Sequence, residues 1–189
     1  RTAGQIKGIL EAKDNDDTPG LYMALQDEHT DTVRVFLEAL PGLKEFELTV
    51  DQIKGIAEAK KQDGIPGLLF ALQEGYADAV KAFLGALPGL KEFKLTADQI
   101  KDILEAKKQN GTPGPGLYYA LQNGHTDAVE AFLGALPGLK EFKLTVDQIK
   151  EIVEARRSDG VLGLTVVREK KHQQTEEVYL ANLRKLGLD

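Results

Sequence analysis

The stretch AFLGALPGLKEFKLT occurs twice without a difference, at residues 82–96 and again at 131–145. Two identical segments of this length indicate an internal duplication. The motif DQIK marks the same period, because it begins at Asp51, Asp98 and Asp147, in steps of 47 and 49 residues. Self-similarity at a fixed period is typical of repeat architectures. The sequence therefore predicts a repeat protein with units of about 47 residues.

The first part of each unit has the pattern of an amphipathic helix. In the second unit, Thr49 and Gln52 form a capping-box signature for its start. Ile53 and Ile56 then follow at helical spacing, with polar residues between them. We expect Gly64 to end this helix, since glycine readily adopts the left-handed conformation of a helix C-terminus.

A pair of helices follows in the same unit. Pro66 predicts the start of a short second helix, and Gly75 predicts its end. The third helix carries Val80 and Phe83, and Pro88 stops it. No segment of the chain shows the alternating pattern of a β-strand. The predicted fold class is therefore all-α.

Four units account for the chain as a single helical-repeat domain, residues 1–189, with approximate bounds 2–48, 49–95, 96–144 and 145–189. The fourth unit is degenerate, because Glu176 stands where the other units have valine, within the polar segment REKKHQQTEE. A stacked array needs a polar terminal face to stay soluble, so we expect this unit to be a C-terminal cap. No polar cap precedes Thr2, and we expect the array to extend upstream in the parent protein.

Composition excludes several classes of site. The chain contains no cysteine, which excludes disulfides and thiolate metal ligands. Its net charge of -6 disfavours nucleic acid, whose phosphates attract a positive surface. No apolar run approaches the roughly 18–20 residues of a membrane span. We expect no membrane contact and a location in the cytoplasm or, after secretion, in a host cell; no targeting segment is visible.

The helix pair resembles the ankyrin repeat, whose core pattern is Thr-Pro-Leu, a small residue, Gly-His, and then valine with aliphatics. The matching stretches are TPGLYMALQDEHTDTVRVFL at 18–37, IPGLLFALQEGYADAVKAFL at 65–84 and TPGPGLYYALQNGHTDAVEAFL at 112–133. In the third stretch the pattern is carried by Thr112, Pro113, Leu117, Ala120, Gly124, His125, Val129 and Leu133.

Two departures from the ankyrin pattern concern the loop and the first helix. A glycine follows the proline, and a whole helix stands where ankyrin repeats have a β-hairpin. The resemblance implies a right-handed stacked solenoid of ankyrin-like helix pairs, each with an additional helix. It also implies a scaffold that binds another protein, and we expect a monomer. Near-identical long repeats are similar to those of virulence effectors that bacteria inject into host cells.

A second resemblance supports an alternative function. LTVDQIKGIAEAKKQDG at 48–64 and ALPGL at 86–90 resemble parts of the repeat of transcription-activator-like effectors, which read DNA. That repeat is about a third shorter, and its Gly-Gly loop with a variable residue pair has no counterpart in this chain. A nucleic-acid reader therefore stays as one alternative. The non-catalytic portion of a larger toxin-like enzyme is another.

The histidines do not form a predicted catalytic or metal site. His29, His125 and His172 occupy one repeat position, where the second unit has Tyr76. They are one or two units apart, whereas a metal needs donors that converge in space. The ankyrin resemblance implies that this histidine orders the turn between the paired helices through backbone hydrogen bonds. We predict no enzyme activity, no metal and no cofactor.

Positions that vary within the fixed frame are the predicted partner-binding residues. The resemblance implies that a polar pair before the Gly-His position projects into a concave groove. Nearby positions of varying bulk add aromatic residues, which are common in interface hot spots. The predicted residues are Met23, Gln26, Asp27, Phe70, Gln73, Glu74, Tyr119, Gln122 and Asn123.

Basic residues also recur in register after each first helix, as Lys60-Lys61, Lys107-Lys108 and Arg156-Arg157. We interpret them mainly as partners of nearby glutamates and of the negative helix end. The alternative is a basic stripe that holds an acidic partner.

Overall fold

A computed structural model describes residues 2–108 and 114–188. The predicted all-α class is confirmed, because these residues form helices and no β-strand. Each unit contributes three α-helices, in the predicted order. They are α1 (Ala3–Leu10), α2 (Gly20–Gln26), α3 (Thr30–Ala39), α4 (Val50–Glu58), α5 (Gly67–Glu74), α6 (Ala77–Ala86), α7 (Ala97–Glu105), α8 (Gly116–Asn123), α9 (Thr126–Ala135), α10 (Val146–Glu154), α11 (Gly163–Glu169) and α12 (Gln173–Lys185).

The first helix of each unit begins as the capping box predicts. The Thr49 hydroxyl accepts a hydrogen bond from the Gln52 amide at 3.2 Å, and the Gln52 side chain accepts one from the Thr49 amide at 2.8 Å. The same reciprocal pair occurs at Thr2, Thr96 and Thr145. Two otherwise unpaired amides are thereby satisfied at each helix start.

The predicted end of α4 at Gly64 is wrong. The helix already ends at Glu58, and Ala59 takes the left-handed conformation (φ 45°). Gly64 also has a positive φ of 81°, but it lies in the loop that follows. Within this loop Lys60 pairs with Pro66 in an isolated antiparallel bridge. The loop therefore contains a short hairpin-like turn.

The third helix of a unit ends near the predicted proline, but the chain does not become irregular there. In the second unit a 3₁₀ helix, Leu87–Phe93, follows α6. Leu87, Leu90 and Phe93 are buried, and their spacing of three residues matches the three-residue turn of a 3₁₀ helix. The same LPGLKEF segment forms 3₁₀ helices at Leu40–Phe46 and Leu136–Phe142.

The second and third helices of each unit pack against the equivalent helices of the next unit. The contacts run through α2, α5, α8 and α11, and in parallel through α3, α6, α9 and α12. Val33, Val80 and Val129 are fully buried along the second of these rows. Sequential packing of this kind is compatible with a helical solenoid. In the described ranges no helix has the length and hydrophobicity of a membrane span.

The glycine that departs from the ankyrin pattern has a packing role. A Cβ built on Gly67 would lie 2.6 Å from Leu25 Cδ1 of the preceding unit. At Gly116 and Gly163 the corresponding leucine Cδ1 atoms would lie 2.7 and 2.5 Å away. The glycine therefore lets neighbouring units approach closely. Thr112 and Pro113, which carry part of the ankyrin pattern, lie outside the described residues.

Candidate functional site

The repeated histidine joins adjacent units. Nε2 of His125 donates to the main-chain oxygen of Gln73 at 2.9 Å, and Nε2 of His172 donates to that of Gln122 at 3.1 Å. Both oxygens belong to the preceding unit. The backbone hydrogen bond that the ankyrin resemblance implies is present at His125 and His172, and at both positions it joins the ring to the preceding unit.

The histidine ring also packs over a glycine of the preceding unit. A Cβ built on Gly75 would lie 2.5 Å from Nδ1 of His125, and one built on Gly124 would lie 2.7 Å from Nδ1 of His172. Both glycines have a positive φ, 80° and 73°. The left-handed conformation favours glycine at this position, and the space beneath the histidine ring requires it. The first unit has Glu28 at this position, and the second unit, which follows it, has Tyr76 in place of the histidine.

No metal centre is formed within residues 2–108 and 114–188, since no three His, Cys, Asp or Glu side chains there are arranged to hold an ion. His29 is exposed. His125 and His172 are each committed to the unit before them. The histidine rings at this repeat position therefore lie in different units along the array and do not converge on one point.

The recurrent basic residues are largely engaged with neighbours. Lys60 lies 3.0 Å from Glu58, and equivalent pairs form at Lys107 and Arg156. The predicted glutamate pairing is thus confirmed. The Lys61 ammonium lies 5.2 Å from the ring centroid of Tyr22 in the preceding unit, within reach of a cation–π interaction. These residues stabilise helix ends and contacts between units.

Three predicted binding residues, Met23, Gln26 and Asp27, line one open cleft. The cleft has a volume of about 730 Å³ and lies where α2 of the first unit meets the loops of the first and second units. Lys61 and the carboxylates contribute most of its charge. The acidic residues of the lining are Asp14, Asp16, Asp17, Asp27 and Asp63.

The loop residues of this cleft were not among the predicted binding residues. The loop reads DNDD in the first unit and KQDG in the second, so that Asp14 stands where the second unit has Lys61, whereas Asp16 and Asp63 occupy the same position. The change at Asp14 is the kind of signal that identified the polar pairs, but Asp16 carries no such signal. The composition of the loop hides the change, because Asp, Asn and Gly are expected in any loop.

The predicted aromatic residues are only half-exposed, because they also pack. The Phe70 ring lies 5.8 Å from that of Tyr22 and 6.2 Å from that of Tyr76, while Tyr119 lies 5.6 Å from Tyr118. Burial, followed by the charges of Asp63 and Glu74, raises the pKa of Tyr22 to about 12. The carboxylates of Asp63 and Glu74 thus act on the Tyr22 hydroxyl in the same direction as its burial.

The predicted polar pairs of the second and third units lie outside the first cleft. Glu74 and Asn123 are exposed, and Gln73 and Gln122 are half-buried. The Asn123 side chain donates to the same Gln73 oxygen as His125, at 3.0 Å. Asn123 therefore contributes to the contact between units, which its variation along the repeat did not indicate.

A second cleft, of about 790 Å³, lies on the other helix row between α6 and α9. Small residues such as Gly85 and Gly134 form its floor, and Lys81 and Glu130 stand beside them. Sequence reasoning did not select this surface. It is the natural comparison for any binding test of the first cleft.

Comparison with known proteins found no matching protein-family model and no curated protein with a similar sequence. Fold and surface geometry together define an all-α protein built from consecutively packed, internally repeated helical units.

Proposed function

We propose that this chain is an ankyrin-like, right-handed helical-repeat solenoid that acts as a protein–protein interaction module. The observation that carries the proposal is the division between frame and surface. Buried frame residues such as Val80 and Gly67 recur from unit to unit, while several residues that line the first cleft, such as Asp14 and Met23, change. A fixed frame with a variable surface is the arrangement by which repeat proteins bind partners.

Charge favours a basic partner segment. Five carboxylates line the first cleft. Lys61 carries the single positive charge of the described lining residues, and its ammonium also lies over the Tyr22 ring. Such a surface attracts lysine and arginine side chains and repels phosphates. The proposal is therefore a protein partner, with no nucleic acid, membrane or cofactor required and no catalytic step. The chain acts as a monomer in this role.

The units supply a pre-ordered surface. Contacts between units fix the loop of the second unit beside α2, as shown by Lys61 over Tyr22. A partner then docks without first ordering these segments, which lowers the entropy cost of association. By its resemblance to injected bacterial repeat proteins, the chain is further proposed to belong to a secreted effector that acts inside a host cell.

The test reverses charge in the cleft and compares it with an equal reversal elsewhere. The cleft variant is Asp16→Lys with Asp27→Lys, two exposed carboxylates whose side chains form no ion pair within the described residues. The control is Glu45→Lys with Glu141→Lys on the 3₁₀ segments, which are likewise exposed. Exposed substitutions of this kind change stability by about 0.5 kcal/mol or less.

Capture from host-cell lysate, quantified by mass spectrometry, compares the three proteins. We expect a basic protein to be retained by the wild type and by the control, and lost with the cleft variant at an unchanged Tm. Titration with the purified partner then gives the change in Kd. Retention by the cleft variant, or sequence-dependent DNA binding at nanomolar concentration, would show that the proposed function is wrong.

A further inference from the structure

The first unit exposes an isoleucine that every other unit buries. Ile9 is 57% exposed, whereas its equivalents Ile56, Ile103 and Ile152 are 4%, 2% and 1% exposed. Ile152 belongs to the last unit and is buried without a following unit. The preceding unit must therefore bury this position, and the face of the first unit that holds Ile9 is equivalent to an interface.

A glycine on the same face shows the same difference. Gly20 is exposed, and the nearest atom to a Cβ built on it is the Ala12 oxygen at 3.9 Å. Its equivalents, Gly67, Gly116 and Gly163, are each closed by a leucine of the unit before them. In the other units a leucine of the preceding unit leaves room only for glycine at this position. The first unit has the glycine, but no leucine among the described residues packs against it.

The third difference is polar. His125 and His172 each donate to a main-chain oxygen of the preceding unit. His29 is exposed, and its ring makes no hydrogen bond within the described residues. Its backbone angles, φ -74° and ψ 68°, nearly match those of His125, -78° and 75°. The backbone at His29 therefore has the same local geometry as at His125, but no acceptor among the described residues is bonded to the His29 ring.

Two apolar side chains of α3 are also more exposed than a repeat interface would leave them. Phe36 is half-buried, while its equivalents Phe83 and Phe132 are fully buried. Val35 is 56% exposed on the same helix. The exposed face therefore combines apolar contact area, a glycine and a directed hydrogen-bond donor.

The opposite end of the chain is built differently. Arg168 stands where the other units have the leucine that contacts the next glycine, and it pairs with Glu176 at 2.6 Å. Lys171 stands where Gly75 and Gly124 accommodate the next histidine ring. A second copy of this chain therefore presents neither the leucine nor the glycine at its last unit.

We propose that the first-unit face, formed by Ile9, Gly20, His29, Val35 and Phe36, is a docking surface for a further helical unit with the frame of residues 49–95. This inference goes beyond the binding function proposed above and does not depend on it. The occupant brings a leucine over Gly20, a free helix-end carbonyl to His29 and a glycine beneath the His29 ring.

The chain itself shows how such a unit fits. On its following side, the second unit places Leu72 against Gly116, the Gln73 oxygen against His125, and Gly75 beneath the same ring. The first-unit face has the same three receiving positions as the third unit. The docking surface is thus equivalent to the interface that joins the second and third units.

The test adds a copy of residues 49–95 directly before Thr2 of the full chain. The junction keeps the natural register, because Leu95 is followed by the capping threonine Thr96, the equivalent of Thr2. We expect one cooperative transition with a Tm at least about 5 °C above that of the unfused chain, as an added nearest-neighbour interface predicts.

Substitutions distinguish docking from simple tethering. Gly20→Ala and His29→Ala should leave the Tm of the unfused chain unchanged, because neither position has a neighbour to lose. In the fused protein each should lower the Tm by a shift similar to that of Gly67→Ala and His125→Ala, respectively. These two interior variants should lower the Tm in both proteins.

Three outcomes would overturn the proposal. The added unit could unfold in a separate transition, or Gly20→Ala could stay neutral in the fused protein. Either result means that the face does not receive the unit. Self-association of the unfused chain in sedimentation velocity, abolished by Val35→Lys, would instead assign the face to a second copy.

Discussion

Replacing His125 with alanine tests how the units are held together. The substitution removes the 2.9 Å hydrogen bond to the Gln73 oxygen and the ring that packs over Gly75. A net intramolecular hydrogen bond contributes about 1 kcal/mol. Asn123 still donates to the same oxygen at 3.0 Å, so that the carbonyl keeps one partner. With the lost packing, the free energy of unfolding should fall by about 1–2 kcal/mol.

For a chain of this length, about 1 kcal/mol corresponds to roughly 2–4 °C in Tm. Calorimetry and urea unfolding should therefore show a Tm lowered by about 2–8 °C and a lower urea midpoint. His29→Ala is the matched control, because it removes the same side chain at the same repeat position where no acceptor lies. Its effect should stay within about 0.5 kcal/mol.

A double-mutant cycle sharpens the same prediction. Asn123→Ala alone leaves the histidine bond intact, whereas the double variant with His125→Ala leaves the Gln73 oxygen without either donor. The double variant should therefore lose more stability than the sum of the single changes. Equal effects of His29→Ala and His125→Ala would refute the account of a contact between units. Stoichiometric zinc in the wild type, lost in His125→Ala, would refute the structural role altogether.

Three further predictions concern caps, pH and salt. Thr96→Ala should lower the free energy of unfolding by about 1 kcal/mol in urea titrations, through loss of a helix cap. Burial raises the pKa of Tyr22 to about 12 and holds that of Tyr179 above its usual range; the unfolded chain releases these protons near pH 10. Stability should therefore fall as pH rises from about 10 to about 12, less steeply in Tyr22→Phe. Lys101→Ala, which breaks the 2.7 Å pair with Glu151, should cost about 0.5 kcal/mol at low salt and less at 1 M NaCl.

Local signals in the sequence predicted the local structure well. Thr49 and Gln52 act within one helical turn, and Gly75 ends α5 with a left-handed φ that glycine adopts readily. The end of α4 was not predictable in this way. Ala59 takes the left-handed conformation there although a glycine follows five residues later, so that tertiary packing overrides the local preference.

Contacts between units were beyond a local reading of the sequence. The acceptor of His125 lies in another unit, and no nearby residue of the chain identifies it. The 3₁₀ helix of LPGLKEF was likewise missed, because Pro88 signals only that an α-helix stops. The leucines and the phenylalanine of this segment are buried at a spacing of three residues. This burial depends on packing between units, which a local reading of the sequence does not show.

The candidate surface was predicted in part. Variation within the frame selected Met23, Gln26 and Asp27, which share the first cleft. It did not distinguish Asn123, whose side chain bonds to the neighbouring unit, from Glu74, which is exposed. It could not select Asp16, because Asp63 stands at the same position in the second unit and aspartate is expected in a loop whether or not it binds a partner.

Hydrogen exchange of the chain, alone and with the protein captured by the wild type, tests the central claim most directly. The account predicts slower amide exchange in the loops at residues 13–18 and 60–65 and at the C-terminal ends of α2 and α5, where the first cleft lies. Exchange in α6 and α9, which form the second cleft, should stay unchanged. Protection confined to α6 and α9, with the loops exchanging as in the free chain, would contradict the account.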